Sequence, residues 1–362
     1  MDQKEYAFAD LMNMGDMEFS EIDYPKISVV VPIRNEEDYI GATLRFILDQ
    51  DYPREKLEVL VIDGCSSDRT VAIVTEIAAK DKRVRLLRNH KRLSSAARAM
   101  GAREANGDIV TFVDGHVYID NDQLLKNTIH LLAQKNVSVL SRPQFLETPD
   151  NTRFQQAVAL ARRSIIGHGL DSTIYSDEDE YVDPTSSGAS YKREVFDKIG
   201  YFDSRFDACE DVEFNFRAHQ AGFDAFTSKD LAVYYYPRRN LGGLFRQMTR
   251  YGTGRFRLTR KHPEAVSIAA FFPALFVLGF FAFLILSIFS PLVGSMFSAA
   301  FGGYLALIFV WSAYLALKHS PKYLLYLLVI FPAIHFGLGW GYLKEAFRTA
   351  AGRGIDFSDK TP

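Results

Sequence analysis

The sequence predicts an α/β domain built on a parallel sheet, followed by an apolar helical region. Three observations predict it. Short β-branched runs alternate with amphipathic stretches from Ile27 to Val113, acids stand just beyond those runs, and the C-terminal third is strongly apolar. In an open parallel sheet, ligands bind beyond the carboxyl ends of the strands, so Glu36, Asp63 and Asp114 are expected to converge on one crevice despite their distance in sequence. The pair Glu210-Asp211 opens a later amphipathic helix and completes the set.

Strands are expected at Ile27 to Pro32, Leu57 to Ile62, Val84 to Leu87 and Ile109 to Val113. Between them, Asp38 to Asp49 places Ile40, Leu44, Ile47 and Leu48 on one helical face, and Thr70 to Ala79 does the same with Ile73, Val74 and Ile77. These stripes read as core. A third helix starts near Ser94 or Ser95, either of which can cap it, and runs alanine-rich to Ala105, where Asn106-Gly107 stops it. Its small side chains allow close packing on the sheet. After Asp114 come a helix near Asn121 to Gln134, a strand at Val137 to Leu140 and a long helix near Thr152 to Ile166. The acidic stretch Gly167 to Pro184 reads either as a solvated, mobile surface loop or as a lid over the crevice.

Near Leu241 the composition changes. Arg238, Arg239, Arg246, Arg250, Arg255, Arg257, Arg260 and Lys261 share a short stretch with Leu244, Phe245, Met248, Tyr251, Phe256 and Leu258, the pattern of an interfacial helix against anionic headgroups. Three apolar stretches follow, roughly Ile268 to Phe289, Val293 to Leu317 and Tyr323 to Leu343. None contains Asp, Glu, Lys or Arg, and each is long enough to cross a hydrocarbon core about 30 Å thick. The basic stretch ahead of them places the preceding domain in the cytosol. Lys318 and Lys322 favour the cytosol for one loop, and Lys344, Arg348 and Arg353 favour it for the tail, which three full crossings cannot both satisfy. Either the tail is external or one segment is re-entrant, with Pro273 or Pro332 marking the break.

A formal net charge of -2 gives no global sign of nucleic-acid binding. Residues 1–25 carry Asp2, Glu5, Asp10, Asp16, Glu18, Glu21 and Asp23 against Lys4 alone, the reverse of a signal peptide, which keeps this end in the cytosol. Cys65 and Cys209 belong to no CxxC pair or His/Cys cluster. A disulfide scaffold or zinc site is therefore not expected, and both cysteines read as small buried fillers.

The first strand-to-helix turn reads Pro32-Ile33-Arg34-Asn35-Glu36-Glu37 rather than GxGxxG, and no Walker A sequence occurs, so glycine amides are not what cradles phosphate here. Carboxylates at the strand ends point to ribose and base recognition, with a metal for a diphosphate. In Asp114-Gly115-His116 the first and third side chains share one face of an extended segment, and the pair suits either a divalent cation or a turn-forming Asp beside a satisfied His. Asp207 to Arg217 reads as a loop feeding an amphipathic helix, where Glu210 and Asp211 either stabilise the helix start or supply a general base for an attacking hydroxyl. Arg250, within Gln247-Met248-Thr249-Arg250-Tyr251, suits a diphosphate and a lipid headgroup equally.

Together these residues resemble the family 2 glycosyltransferases. Val31 to Glu36 resembles that family's opening strand and Asn-Glu turn; Val61 to Thr70 resembles its Asp-x-x-Ser-x-Asp-x-Thr segment; and Asp114-Gly115-His116 stands where the family usually has Asp-x-Asp. Glu210-Asp211 matches the acidic pair holding the base, and Gln247 to Tyr251 resembles Gln-x-x-Arg-Trp with tyrosine in the last place. The resemblance spans about residues 27 to 260. Gly188 to Phe196, Gly200 to Asp203, Tyr235 to Arg238 and Arg250-Tyr251-Gly252 are most similar to the succinoglycan-type exopolysaccharide glucosyltransferases.

The resemblance implies a GT-A fold, an inverting transfer and a set of roles. Pro32, Asn35, Glu36, Asp63, Ser94, Arg98 and Asp114 would bind the donor, with Ala97 lining the same segment; Asp114 and His116 would hold Mn²⁺ or Mg²⁺; and Asp211 would be the catalytic base. Glu210, Gln247, Arg250 and Tyr251 would meet the acceptor or diphosphate. The implied organisation is an acidic extension (1–25), a cytosolic GT-A domain (26–237), a basic amphipathic interfacial segment (238–266), a transmembrane region of about three apolar segments (267–345) and a tail (346–362). A multi-pass enzyme of the cytoplasmic membrane follows, taking sugar from a nucleotide-sugar donor, a UDP-hexose such as UDP-glucose, to a polyprenyl-diphosphate-linked glycan beside membrane lipid, with no nucleic-acid partner. Alternatives are a processive polysaccharide synthase, a polyprenyl-phosphate glycosyltransferase, or a non-catalytic membrane scaffold with a donor-like pocket.

Overall fold

The β-branched runs form β1 (Ile27–Ile33), β2 (Leu57–Asp63), β3 (Val84–Arg88) and β4 (Ile109–Phe112). The computed structural model describes residues 24–168, 174–175, 178–186, 188–265 and 271–359. Residues 1–23 of the acidic extension lie outside the described residues. The chain divides into two units, one of residues 1–145 with 173–235 and 361–362, the other of residues 146–172 with 236–360. Residues 146–172 thus join the second unit together with the chain from residue 236.

In the first unit β1 lies between β2 and β4, and β2 carries β3, all parallel. The remaining strands are β5 (Val117–Tyr118), β6 (Val139–Ser141), β7 (Gln144–Phe145), β8 (Glu180–Val182), β9 (Gly188–Lys192), β10 (Ala225–Thr227) and β11 (Val233–Tyr235). The main sheet runs β3-β2-β1-β4-β9-β6-β10-β8, with β9 antiparallel to both neighbours and β8 antiparallel to β10; a second sheet runs β5-β11-β7. The chain leaves β1 toward β2 on one side and reaches β4 on the other, so the carboxyl ends of β1 and β4 flank the switch point where such sheets bind ligands.

Alternation along each strand sends side chains to two cores, as a sheet covered on both faces requires. Val29, Val31, Val59 and Val61 pack with Ile40, Leu44 and Ile47 of α1 (Ile40–Leu48) and Val74 of α2 (Thr70–Lys80). Val30, Leu60, Ile62 and Val110 pack with Ala97, Ala99 and Ala102 of α3 (Ser94–Glu104). The alanine-rich composition does what small side chains permit: any Cβ on Gly101 would collide with Val30. Neither serine caps α3, however. Its N-cap is Leu93, and the Ser95 hydroxyl donates instead to the Phe206 carbonyl at 2.6 Å, so a tertiary contact has outcompeted the local one. Helix α4 (Leu124–Gln134) follows β5, and α7 (Arg193–Ile199) and α8 (Glu210–Gln220) follow β9; between them α5 (Arg153–Arg163) and α6 (Ile165–His168) belong to the second unit.

Two expectations change here. Of the acidic stretch read as a loop, residues 169–173 and 176–177 lie outside the described residues, while Glu180–Val182 is the edge strand β8 paired to β10. The alternation Glu180-Tyr181-Val182 was masked by the surrounding acids, and the Tyr181 ring packs edge-on to Phe226 at 5.1 Å. Cys65 and Cys209 are only half-buried, and both adopt left-handed backbone, φ 59° and 61°, in turns that displace them from the core.

The second unit is helical: α5 (Arg153–Arg163), α6 (Ile165–His168), α9 (Leu241–Lys261), α10 (Phe272–Leu286), α11 (Pro291–Lys318) and α12 (Leu324–Ala350). A capping box between Thr152 and Gln155 starts α5, and Asn240 caps α9 through the Gly243 amide at 2.8 Å. Helix α9 is not wholly interfacial. It lies against α12 at glycines, since a Cβ on Gly252 would strike the Leu338 carbonyl and one on Gly341 the Thr249 carbonyl. Arg257 and Lys261 turn inward, and Arg257 Nε meets Glu345 Oε1 at 2.9 Å. By length and composition α11 and the segment Pro321–Ala350 can cross a membrane; α10, the first expected span, has 15 described residues and extends about 22 Å.

Glu58 ties the edge of the first unit together, accepting from the Ser28 hydroxyl and the Asn106 amide, each at 2.5 Å. Burial opposes its charge, but the Ser28 and Asn106 donors prevail and hold its carboxyl below the ordinary value of 4.5. A lowered folded value means the carboxylate stabilises the fold above the unfolded value, and that contribution disappears as pH falls through the folded one. Thermal unfolding of Glu58→Gln is therefore expected to start lower than wild type at about pH 7 and to lose less between about pH 6 and pH 3; an equal acid slope in both proteins contradicts this.

Candidate active site

Two of the loops at the carboxyl edge of the sheet are laced together by side chains that bond backbone. Asn35 has left-handed φ 57°, its amide donates to Ser66 Oγ at 2.9 Å, and its Oδ1 accepts from the Ser67 amide at 2.8 Å. The Glu36 amide donates to Thr70 Oγ1 at 2.7 Å, and Glu37 accepts from the Arg69 amide at 3.0 Å. Asp63, the last residue of β2, is 4% exposed and accepts from the Ser66 amide at 3.1 Å. Burial works against the Asp68 charge, but the Thr70 hydroxyl and amide and the Glu37 amide hold its carboxyl below the usual range. Pro32 stands one residue before the end of β1, in register with Ile62. These polar residues fix the shape of the loop from within the chain, so it is formed before any ligand arrives.

Asp114 and His116 flank a glycine that nothing else could replace without displacement, because a Cβ on Gly115 would lie 2.6 Å from Ile33 Cγ2. Thr43 Oγ1 bonds the Gly115 and Val117 carbonyls at 3.2 and 3.1 Å, anchoring the segment to α1. His116 Nδ1 meets Glu36 Oε1 at 3.0 Å, and the His116 and Tyr235 rings sit edge to face at 6.2 Å. Glu36 thus faces the imidazole.

Arg98 joins the segments. From α3 its Nη2 donates to Asp114 Oδ1 at 2.7 Å, its Nε lies 3.5 Å from Glu210 Oε1, and its guanidinium covers the Phe112 ring at 5.3 Å. Burial opposes its charge, yet Asp114, Glu210 and Asp211 raise its already high pKa further, so it is a permanent cation. Glu210 is the first residue of α8 and is buried; burial, then the Asp211 charge, push its carboxyl up against the opposing pull of Arg98 and the Ser94 hydrogen bond. Asp211 is half-buried beside it, Oδ1 accepting from the Val212 amide at 2.9 Å in the first turn, where helix dipole and carboxylate attract. The left-handed Cys209 immediately before turns the chain sharply into α8.

Asp63, Ser94, Arg98, Asp114, His116, Glu36, Glu210 and Asp211 all belong to the first unit and its sheet edge. Gln247, Arg250 and Tyr251 stand on α9 in the second unit: Gln247 Nε2 donates to the Tyr251 hydroxyl at 3.2 Å, Arg162 lies 5.8 Å from the Tyr251 ring, and Arg250 is exposed. Sequence reasoning missed Arg142. It follows β6, is 2% exposed, and donates to the Phe112 carbonyl at 2.9 Å and Thr111 Oγ1 at 2.7 Å, behind Asp114. A cation ending the apolar run Val139-Leu140 was the available signal, overlooked because only acids were sought at strand ends. Asn215, one turn beyond Asp211, is likewise buried and accepts from the Tyr191 hydroxyl at 2.7 Å.

Among the described residues, no three His, Cys, Asp or Glu side chains form a metal-binding group. Asp114 and His116 flank a turn at 115–116 rather than the extended segment expected, and the Glu36 contact to Nδ1 orients the imidazole as a carboxylate orients a metal-ligating histidine.

Residues 28–200 match the sequence model of Glycosyl transferase family 2. The chain carries a family 2 glycosyltransferase domain. Relatives extend the likeness past that segment. The Dolichyl N-acetyl-alpha-D-glucosaminyl phosphate 3-beta-D-2,3-diacetamido-2,3-dideoxy-beta-D-glucuronosyltransferase of Methanococcus voltae is 28% identical over 239 residues, covering 65% of this chain and 74% of that protein. Succinoglycan biosynthesis protein ExoA of Rhizobium meliloti is 29% identical over 248 residues, covering 68% and 74%. Among solved structures, mannosyltransferase PcManGT from Pyrobaculum calidifontis, in complex with GDP-Man and Mn²⁺, aligns over 94% of this chain and 93% of its own at TM-score 0.56 and 21% identity, a likeness of fold. The family 2 glycosyltransferase domain and its GT-A fold accord with the expectation from the Asn-Glu turn and the Asp-x-x-Ser-x-Asp-x-Thr segment.

Replacing Arg98 by Met leaves Asp114 and Glu210 facing each other with no cation between them. The variant is expected to lose about 3 kcal/mol of stability and to bind a nucleotide-sugar at least tenfold more weakly, by thermal unfolding and calorimetry. Lys at the same position is expected to recover stability only in part, since one ammonium does not reproduce the two-sided guanidinium contact.

Proposed function

We propose that this glycosyltransferase moves a hexosyl group from a nucleotide-sugar, a UDP-hexose with UDP-glucose the first candidate, onto a polyprenyl-diphosphate-linked glycan, with inversion, in the assembly of exopolysaccharide or another cell-surface glycan. The observation that carries the reading is the gathering of Asp114, Glu210 and Asp211 around Arg98 at the carboxyl edge of a sheet whose second strand ends in Asp63, within a family 2 domain. Acceptor chemistry draws support from the relative whose name specifies a dolichyl phosphate-linked sugar, and the exopolysaccharide setting from ExoA. The apolar α11 and α12 support membrane attachment.

In this proposal Asn35, Asp63 and Pro32 shape the nucleotide site, Asp63 accepting from ribose or base. Arg98, with Ser94 and Glu210 behind it, holds Asp114 toward the diphosphate. Asp114 and His116 would hold Mn²⁺ or Mg²⁺, which supplies positive charge to a diphosphate leaving group. Asp211 takes the proton of the acceptor hydroxyl as its oxygen bonds the anomeric carbon; the bond from that carbon to the diphosphate breaks on the opposite face, and the nucleoside diphosphate departs with its electron pair. An α-linked donor then gives a β-linked product. Arg250, with Gln247 and Tyr251, engages the diphosphate of the acceptor or the donor.

Asp211→Asn keeps the shape of the helix start but cannot accept the proton. Transfer from UDP-glucose to a polyprenyl-diphosphate-linked saccharide is expected to fall about 10³-fold while UDP affinity stays within twofold, and undiminished turnover removes Asp211 from this role. UDP binding measured by calorimetry is expected to tighten on adding Mn²⁺ in wild type, and to do so much less in His116→Ala. Equal Mn²⁺ effects in the two proteins remove His116 from metal binding. A donor panel that includes GDP-mannose tests the nucleotide, and exclusive binding of a guanosine donor overturns the uridine assignment.

A further inference from the structure

The two helices that can cross a membrane by composition differ in what surrounds them. In α11 the apolar window is 6% buried, and in the segment Pro321–Ala350 it is 44% buried. The middle of α12 packs on the apolar α10 and α11, Phe336 on Phe276, Gly339 on Pro273 and His335 on Tyr304, but both its ends are held by charged helices of the same unit. At its start the Tyr323 hydroxyl donates to Gln156 Oε1 at 2.8 Å and Tyr326 packs on Phe154 at 6.1 Å, both on α5, which also carries Arg153, Arg162 and Arg163. Further on, Gly337 and Gly341 meet α9, and Glu345 pairs with Arg257. The chain beyond α12 returns to the same place, the Ile355 carbonyl accepting from Arg260 of α9 at 3.2 Å. Sending α12 through a bilayer would carry the arginines of α5 and α9 into hydrocarbon, at several kcal/mol for each.

A different part of the unit is built for hydrocarbon. Residues 281–300, the last turns of α10, the turn after it and the first turns of α11, include no buried residue and no charged one. Phe281, Ile285, Ile288, Phe289, Leu292 and Met296 are 45–79% exposed. At the base of this hairpin Phe280 packs on Phe301 and Phe336; beyond it α10 continues for residues 281–286, about 9 Å, and α11 for residues 291–300, about 15 Å, neither arm exceeding half of a hydrocarbon core about 30 Å thick. The turn itself, Ser287-Ile288-Phe289-Ser290, has its serine hydroxyls occupied within the hairpin: Ser287 Oγ donates to the Leu284 carbonyl at 2.6 Å and Ser290 Oγ accepts from the Val293 amide. Polar groups satisfied this way are compatible with lipid. Arg246, Arg250, Arg255 and Arg260 are exposed along α9 of the same unit, the charge that suits an anionic headgroup layer.

We propose that the α10–α11 hairpin enters one leaflet of an anionic bilayer and returns, and that neither α11 nor α12 crosses. The turn 319–323 and the tail after Ala350 then lie on the same side as α9. This rests on the membrane attachment proposed above and replaces its multi-pass form.

The test uses the full chain in sealed inverted membrane vesicles, with single cysteines introduced by Ser287→Cys, Ser320→Cys and Ser358→Cys, an impermeant maleimide added outside, and labelled peptides identified by mass. Labelling of native Cys65 marks the side of the first unit. Expected are label at positions 320 and 358 from that side, and none at 287 in either inverted or right-side-out vesicles until detergent is added; label at 287 in right-side-out vesicles means that the hairpin crosses twice and overturns the proposal. Label at 320 only after the vesicles are opened indicates two crossings and overturns the proposal; protection of 358 alone indicates an odd number and overturns it equally. A companion measurement is flotation of purified protein with phosphatidylglycerol-containing liposomes. Ile288→Asp/Phe289→Asp, at exposed positions that leave the fold intact, is expected to reduce flotation at least tenfold. Flotation unchanged by the double variant overturns the hairpin, whereas no flotation of wild type overturns membrane attachment itself.

Discussion

The Arg98 guanidinium is the interaction on which the first unit's site depends. Three carboxylates from two distant segments, Asp114 after β4 and Glu210-Asp211 at the start of α8, are drawn to one cation supplied by a third segment, α3. Desolvation would make such a cluster of acids repel and protonate; a fixed cation among them lets it stay compact and lets the partners define one another's positions. The aromatic face of Phe112 beneath the guanidinium adds an attraction that needs no further hydrogen bond. Close packing of α3 is the precondition, because Arg98 reaches the sheet edge only from a helix whose alanines and Gly101 let it lie directly on Val30 and Leu60.

Around that cation the site is held by the chain's own polar groups rather than by apolar packing. Asn35, Ser66, Asp68 and Thr70 bond backbone amides across the two loops, and Arg142 ties the carbonyl of Phe112 to Thr111 from behind. Groups arranged in this way lose little entropy when a ligand binds, which is how positioning contributes to rate. The family signature residues therefore divide into two kinds. Asn35, Ser66 and Thr70 shape the loop, while Asp63, Asp114, His116 and Asp211 carry the ligand and proton roles in the proposed reaction.

Much of this was readable in the residues. The β-branched runs located the first four strands to within about a residue, because a parallel strand covered on both faces writes a continuous apolar run. The acids after them were found by the rule that binding sites lie at carboxyl ends. What escaped notice has specific causes. β8 hid within a run of acids, since an edge strand has only one face to bury and three residues cannot display a period. Ser95 bonded the distant Phe206 carbonyl rather than capping its helix, and long-range partners of this sort leave no local trace. Arg142 and the Glu36–His116 contact depend on which strands adjoin, a fact of topology, and the clasp of α12 by α5 and α9 is invisible in a composition that reads simply as a span.

The glycine contact between α9 and α12 has a mechanical meaning. Where Gly252 faces Leu338 and Gly341 faces Thr249, backbone meets backbone with no side chain between to deform. Interfaces of leucines can slide by trading one rotamer for another; this one cannot, because moving either helix by a single residue brings a Cβ against a carbonyl. The pair consequently behaves as a keyed shaft, with one axial register and one rotational setting. Force applied at the α12 end reaches Gln247, Arg250 and Tyr251 on α9 as displacement of the whole helix rather than as local give.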